Sequence, residues 1–477
     1  MNCLHAASTA LRGHGAFRFS SVVAVIAAIV VSALPASAQN SKAVLDTPNP
    51  GGILRTITLD GKPIDMNNPF FQSLGTNGRS CASCHVPNTG WTISPAEVQD
   101  RFNKTSGLDP IFRLNDGANS PAADVSTLAA RRDAYSMVMN KGNIRVGLPI
   151  PAGAEFELSA VEDPYGFASA SELSLFRRPL PTTNIRFLTA VMWDGRESFA
   201  PMGTTPISDD CTPSEHAEAL LNNLMHQSNE ATTGHAEGLP LNPAQRTAIA
   251  QFQLNLATAQ MTGRSTGILS SKTILGGPHN LAAQNFFVTI NDVLGADVQT
   301  GKFEPHAMTL FDAWAASKNP EQAAIARGAK LFGTKPIQIT GVGGLNDDLA
   351  IPALTGSCTT CHDSPNVGNH SVSLPIDIGL TDASRRSSDM PLYTLRNLTT
   401  GETRQTTDPG RALLTGRWKD IGKFKGPVLR ALASRAPYFH DGSAADFDDV
   451  LDFYDTRFGI GLTPRERADL IAFLNAL

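Results

Sequence analysis

The 477-residue chain sets 39 Lys and Arg against 44 Asp and Glu, a formal charge of −5, and is 41% hydrophobic. A chain of this length holds two or three domains of ordinary size. Its mixed charge forms no basic stripe, which excludes nucleic acid as an expected partner. In chain order the first element is an export signal: Arg12 and Arg18 precede an uncharged run over 21–34 and then Ala36-Ser37-Ala38. Residues 1–38 are therefore expected to be removed before Gln39 rather than to anchor the chain. No later stretch is apolar enough to cross a bilayer, so no membrane span is expected after signal removal, and the mature chain is expected in the periplasm.

With 40 Gly and 31 Pro spread along the chain and little strand-like alternation, the expectation is a mostly α protein with long ordered loops. Residues 96–176 combine turn formers with little periodicity and are expected to be one long loop region. Helices are expected over 242–256 and 324–332. Phe447, Val450, Leu451, Tyr454 and Phe458 share one face of a third. The last helix opens with the capping box Thr463-Pro464-Arg465-Glu466 and carries Leu470, Phe473, Leu474 and Leu477 at helical spacing. A division near Ser317-Lys318-Asn319-Pro320 separates an expected unit 39–318 from a second, 319–477.

Chemistry enters with the cysteines. Of six, Cys3 leaves with the signal, Cys211 stands alone, and the other four form Cys81-Ala82-Ser83-Cys84-His85 and Cys358-Thr359-Thr360-Cys361-His362. In C-x-x-C-H the two thiols add across the vinyl groups of one porphyrin, and the adjacent histidine turns its imidazole to the iron. At this composition the pattern is expected by chance roughly 0.002 times, yet it occurs twice. A redox pair needs no following histidine, and a zinc site needs further Cys or His nearby. Two covalently bound haem c groups are therefore the expected cofactors, with His85 and His362 as iron ligands.

The sixth position on each iron separates an electron carrier from a centre that binds peroxide or oxygen. No histidine lies between His85 and His216, so the loops after the first motif offer no imidazole; Met137, Met139, Met192 and Met202 are the remaining donors, and an open position is expected. For the second haem the candidates are Tyr454, Met390 and His370. His216, His226, His279 and His306 carry no assigned role.

The surroundings of the motifs resemble a known family. Arg178-Pro179-Leu180-Pro181-Thr182-Thr183-Asn184 with Trp193-Asp194-Gly195-Arg196, and Lys425-Gly426-Pro427-Val428-Leu429-Arg430 with Ala436-Pro437-Tyr438-Phe439-His440-Asp441-Gly442, are similar to signatures of bacterial di-haem cytochrome c peroxidases and MauG. The resemblance covers roughly 70–477. It implies two cytochrome c-like haem domains facing one another across Trp193, which would relay electrons. It places Tyr454 where peroxidases carry a methionine ligand and MauG-like members a tyrosine. The removable histidine of reductively activated peroxidases is missing, which implies a permanently accessible first haem. The family's distal acid aligns with Glu237, with His235 beside it. The family's calcium site uses an asparagine where this chain has Pro179; this counts against calcium, although the carbonyls of Arg435 and Pro437 are still available to it.

The activity so implied is reduction of hydrogen peroxide at the N-terminal haem, with electrons passed through the C-terminal haem from a small cytochrome or copper protein. A MauG-like member would instead oxidise side chains of a protein substrate. A di-haem oxygenase would need an apolar pocket, for which Phe286-Phe287 are the available rings, and a non-catalytic electron carrier would need strong ligands on both irons.

Overall fold

A computed structural model describes residues 43–198, 212–286, 309–363 and 375–477. The expected signal, together with Met202, Cys211, Phe287, His306 and His370, lies outside the described residues.

The expectation of a mostly α protein is corrected by the structure. Among the described residues ten α-helices are accompanied by eleven strands in four sheets. In the largest, the hairpin Val44–Asn49 and Gly52–Thr58 turns through Pro50-Gly51 and pairs on its other side with Leu256–Gly263, a strand some 200 residues later in the chain. Leu54 and Ile57 are buried on opposite faces of Gly52–Thr58. In a second sheet, Phe156–Glu162 pairs with Leu392–Asn397, which pairs with Thr403–Thr406. That sheet joins chain segments on either side of the expected division, and the Tyr393 hydroxyl reinforces it by donating to the Ser174 carbonyl at 2.8 Å and accepting from the Ser174 amide at 2.9 Å.

The stretch 96–176, expected to be loop, instead holds the helix Pro95–Thr105, two shorter helices, and the strands Ile144–Leu148 and Phe156–Glu162. Ser94 caps the first of these helices by accepting from the Glu97 amide, and Pro95 sits at its first position. Val98 and Phe102 face inward from it.

Helices of the C-terminal part form much as their periodicity dictates. Pro320–Thr334, Phe447–Phe458 and Pro464–Asn475 enclose one apolar cluster with Ile325, Phe332, Leu451, Leu470 and a fully buried Phe473. The Thr463–Glu466 capping box is present. Gly328 lets the first and third of these helices touch, because a Cβ there would collide with the Asp469 carbonyl. Burying a ring such as Phe473 contributes about 2 kcal/mol, so this cluster is a firm wall for whatever lies beside it. No helix among the described residues is long and apolar enough to cross a membrane.

Candidate functional site

Each C-x-x-C-H motif forms a single 3₁₀ turn at the edge of a cavity. At the first, Ser80 and Ser83 cap one another and the His85 amide donates to the Cys81 carbonyl at 3.0 Å. The His85 ring is oriented from behind: its Nδ1 lies 3.1 Å from the Trp91 carbonyl. Trp91 is fully buried, its indole N–H donates to Thr56 Oγ1 at 2.9 Å, and its backbone is left-handed at φ 62°. For a bulky residue that conformation costs on the order of 1–3 kcal/mol, and here it turns the carbonyl toward the histidine. At the second motif the His362 amide donates to the Cys358 carbonyl at 2.9 Å, and Nδ1 is buried with no partner among the described residues.

Burial pushes both imidazoles down to about 4, so at neutral pH they are uncharged, the form that ligates a metal. It pushes the thiols up, Cys81, Cys358 and Cys361 to about 12 and Cys84 to about 11. Thiols so disfavoured as thiolates do not suit a thioredoxin-like pair. Among the described residues no group of three His, Cys, Asp or Glu is placed to hold a metal ion.

The first cavity holds about 1350 Å³ of free space, the second about 1890 Å³. Arg178, Pro179, Leu180, Pro181, Trp193 and Lys425 line both and so form the partition between them. Trp193 is fixed there by its indole N–H, which donates to the Arg178 carbonyl at 2.8 Å, and it meets the His440 ring edge-on at 6.2 Å between centroids. Its neighbour Asp194 belongs to a buried ionic network that spacing does not reveal. Arg177 donates to Asp194 at 2.6 Å and to both oxygens of Asp408 at 2.7 and 2.9 Å, while Arg196 reaches Asp194 at 2.9 Å. Burial alone would raise the Asp194 carboxyl, but the two guanidinium groups outweigh it and hold it far below the usual range.

The cavity walls fit a haem in charge as well as in shape. Lys425 is 4% exposed, has no carboxylate partner among the described residues, and is pushed by burial down to about 7. Arg178 and Arg435, also buried, donate only to backbone carbonyls, and burial lowers them to about 10 and about 9. Uncompensated buried cations are costly; the propionates of two haems would supply the missing negative charge.

The two cavities differ in what faces the histidine. In the second, His362 Nε2 lies 3.3 Å from the Tyr454 hydroxyl, and the rings stand at 81° to one another. Burial pushes the Tyr454 phenol well up. Met390 is buried with Met137 and Phe176 and does not reach that cavity. The first cavity is lined by Met192 and His235 as well as His85. Met137 and Met139 pack elsewhere in the core, away from it. The His235 Nδ1 is hydrogen-bonded to Asp116 Oδ2, and Asp116 Oδ1 pairs with Arg79 Nη1. Burial would raise the Asp116 carboxyl, but His235 and Arg79 together leave it lowered. Glu237 is exposed at φ 53° and does not line the cavity; its carbonyl accepts from Thr76 Oγ1. Phe286 packs on Phe187 and His216 outside both cavities. His226, given no role from the sequence, pairs with Glu197 at 2.6 Å.

Two C-x-x-C-H turns, the two cavities they border and a shared aromatic partition define a candidate two-centre haem site of the c type. The chain resembles cytochrome-c peroxidase IdrP1 of Pseudomonas sp. (strain SCT), at 31% identity over 140 residues, 25% of this chain and 36% of that protein. It also resembles IdrP1 of Denitromonas iodatirespirans, at 29% over 188 residues, 35% of this chain and 44% of that protein. The chain thus spans less than half the length of the curated relatives it matches. No family model matches it. Among solved structures, a MauG-like protein associated with microbial copper homeostasis aligns over 93% of this chain and 95% of its own at 16% identity and TM-score 0.36. Hydrazine synthase of Kuenenia stuttgartiensis aligns over 81% and 93% at 14% identity and TM-score 0.29. Scores of this size do not establish a shared fold.

Proposed function

We propose that the chain is an exported di-haem oxidoreductase of the cytochrome c peroxidase type, with haem c held by Cys81, Cys84 and His85 in unit 39–318 and by Cys358, Cys361 and His362 in unit 319–477. The observation that carries this reading is the unequal pair of cavities: His362 lies 3.3 Å from a phenol, whereas His85 shares its cavity with His235, whose ring is tied to Asp116. His362 and Tyr454 would both be available to hold one haem iron, and His85 the other, which would leave the His85 centre able to take substrate.

Bound haem would supply the redox chemistry, in which hydrogen peroxide takes two electrons and two protons and leaves as two waters. The chain's own residues do the rest. His85, oriented by the Trp91 carbonyl, would hold the reacting centre from the far side. His235 is placed to take a proton from peroxide at Nε2 and return it to the departing oxygen, general acid–base work worth about 10²–10⁴-fold. Glu237 is exposed and does not line the cavity, which leaves that task to His235. Trp193, in the partition, would carry electrons from the second centre, itself supplied by a small cytochrome or copper protein. Tyr454 favours one variant of this reading: phenolate stabilises an oxidised iron, which suits a MauG-like enzyme that draws electrons from a protein substrate.

Electron paramagnetic resonance of the ferric protein, never reduced, tests the reading. The expected spectrum has one high-spin and one low-spin centre, the high-spin signal vanishing on addition of peroxide. Two low-spin signals indifferent to peroxide would mean that His235 or Met192 closes the first iron, and the chain would be an electron carrier.

A further inference from the structure

The polar wall of the first cavity contains more than the proposed function uses. His235 follows the helix Pro213–Gly234 as its C-cap, and its main chain is held as tightly as its ring. Its carbonyl accepts from Asn77 Nδ2 at 2.8 Å, Arg79 Nη1 at 3.1 Å and Asn115 Nδ2 at 3.3 Å, and the Thr76 amide donates to the Ala236 carbonyl at 3.1 Å. The segment just before the first attachment turn is thus stitched to the end of the helix that roofs the cavity. Arg79 is itself rigid, because it is 3% exposed and donates to the carbonyls of Pro110 at 2.7 Å and Ile111 at 2.6 Å. Asp116, 5% exposed, lies between Arg79 and His235 and bonds to both.

We infer that Asp116 is a positioning residue for His235: it holds the Nδ1–H and thereby turns Nε2, as a free proton acceptor, into the first cavity. An ionised carboxylate only accepts hydrogen bonds, so the nitrogen facing it must donate. In a neutral imidazole the other nitrogen then carries the lone pair. No partner bonds Nε2 among the described residues, and the ring lines the cavity that His85 also lines. Arg79 keeps Asp116 charged and in place, so the tautomer is set by a buried ion pair before any substrate arrives. The inference rests on the proposed function for its chemistry and adds the residue on which that chemistry depends.

Cyanide supplies a readout other than turnover, because hydrogen cyanide must give up its proton to bind ferric iron. In protein carrying both haems, Asp116→Asn is expected to slow cyanide association about 100-fold, the low end of a general-base contribution, with the high-spin signal retained. His235→Gln is expected to show the same loss, and the double variant no further loss. Asp116→Glu keeps the charge beside Arg79 with a longer reach. It is expected to recover to within about tenfold of the parent, and its remaining deficit to vanish when His235 is already Gln. That second cycle decides the matter should the Asn variant fail to hold haem. Parental cyanide rates in Asp116→Asn with a slow His235→Gln would overturn the inference and leave the peroxidase reading standing. A Glu deficit that persists without His235 would overturn it equally. A parent protein with no high-spin centre and no cyanide uptake would overturn both.

Discussion

The two cavities start from the same five-residue motif and end with different chemical prospects. Behind His85 stands a carbonyl, and its cavity also holds a histidine leashed to a buried carboxylate. Behind His362 no partner is described, and a phenol lies 3.3 Å from its Nε2. The wall around the first is studded with Arg79, Asp116, Gln227, Ser228 and Gln253, whereas the second is lined mainly by Ile, Leu, Val and Phe. An attachment motif therefore fixes where a haem sits and which histidine it uses, and says nothing about its reactivity. Reactivity is conferred by the residue that packing brings to the other face.

Three substitutions sharpen that contrast. The largest effect is expected at Tyr454→Met, which replaces an anionic oxygen donor by a neutral sulfur. The potential of the second centre should rise by on the order of 100 mV, read by spectroelectrochemical titration, while the first stays put. An unchanged potential would show that Tyr454 is not on the iron and would erase the asymmetry. Next comes Trp193→Phe, which removes the indole from the partition and its 2.8 Å bond to the Arg178 carbonyl. Electron equilibration between the centres, followed by stopped-flow spectroscopy, should slow about tenfold, equivalent to about 1.4 kcal/mol of barrier. Thermal unfolding should register the lost hydrogen bond as about 1 kcal/mol. Equilibration at the parental rate would mean that the two cavities communicate by another route. The smallest effect is expected at Glu237→Gln. Exposed and outside the first cavity, it should alter peroxide turnover by less than about twofold, as surface changes ordinarily do. A loss of a hundredfold would move the proton-handling role from His235 to Glu237.

How much was legible in the sequence differs between these regions. Each C-x-x-C-H turn is confined to five consecutive residues, and both motifs could be read directly. Helices such as Pro464–Asn475, with its capping box and apolar stripe, were also legible, because their signal lies within a few turns. The strands were missed because their partners are remote. Phe156–Glu162 pairs with Leu392–Asn397, and nothing in either segment names the other. Asp116 was missed for a different reason. It lies in Asn115-Asp116-Gly117, which reads as an ordinary turn, and its value comes from Arg79 and His235 converging on it. Glu237 shows the opposite failure: its alignment with a family position was reasonable, but the left-handed backbone at φ 53° leaves it exposed while His235, two residues earlier, lines the cavity.

Taken alone, the sequence determined the two C-x-x-C-H turns and the helices that wall the second cavity, all of which depend on interactions between near neighbours in the chain. Tertiary structure decided the rest: Tyr454 is brought to His362 from 92 residues away, and His235 is brought to Asp116 from 119 residues away. Such meetings depend on the packing of whole helices and sheets, and no local pattern of residues encodes them.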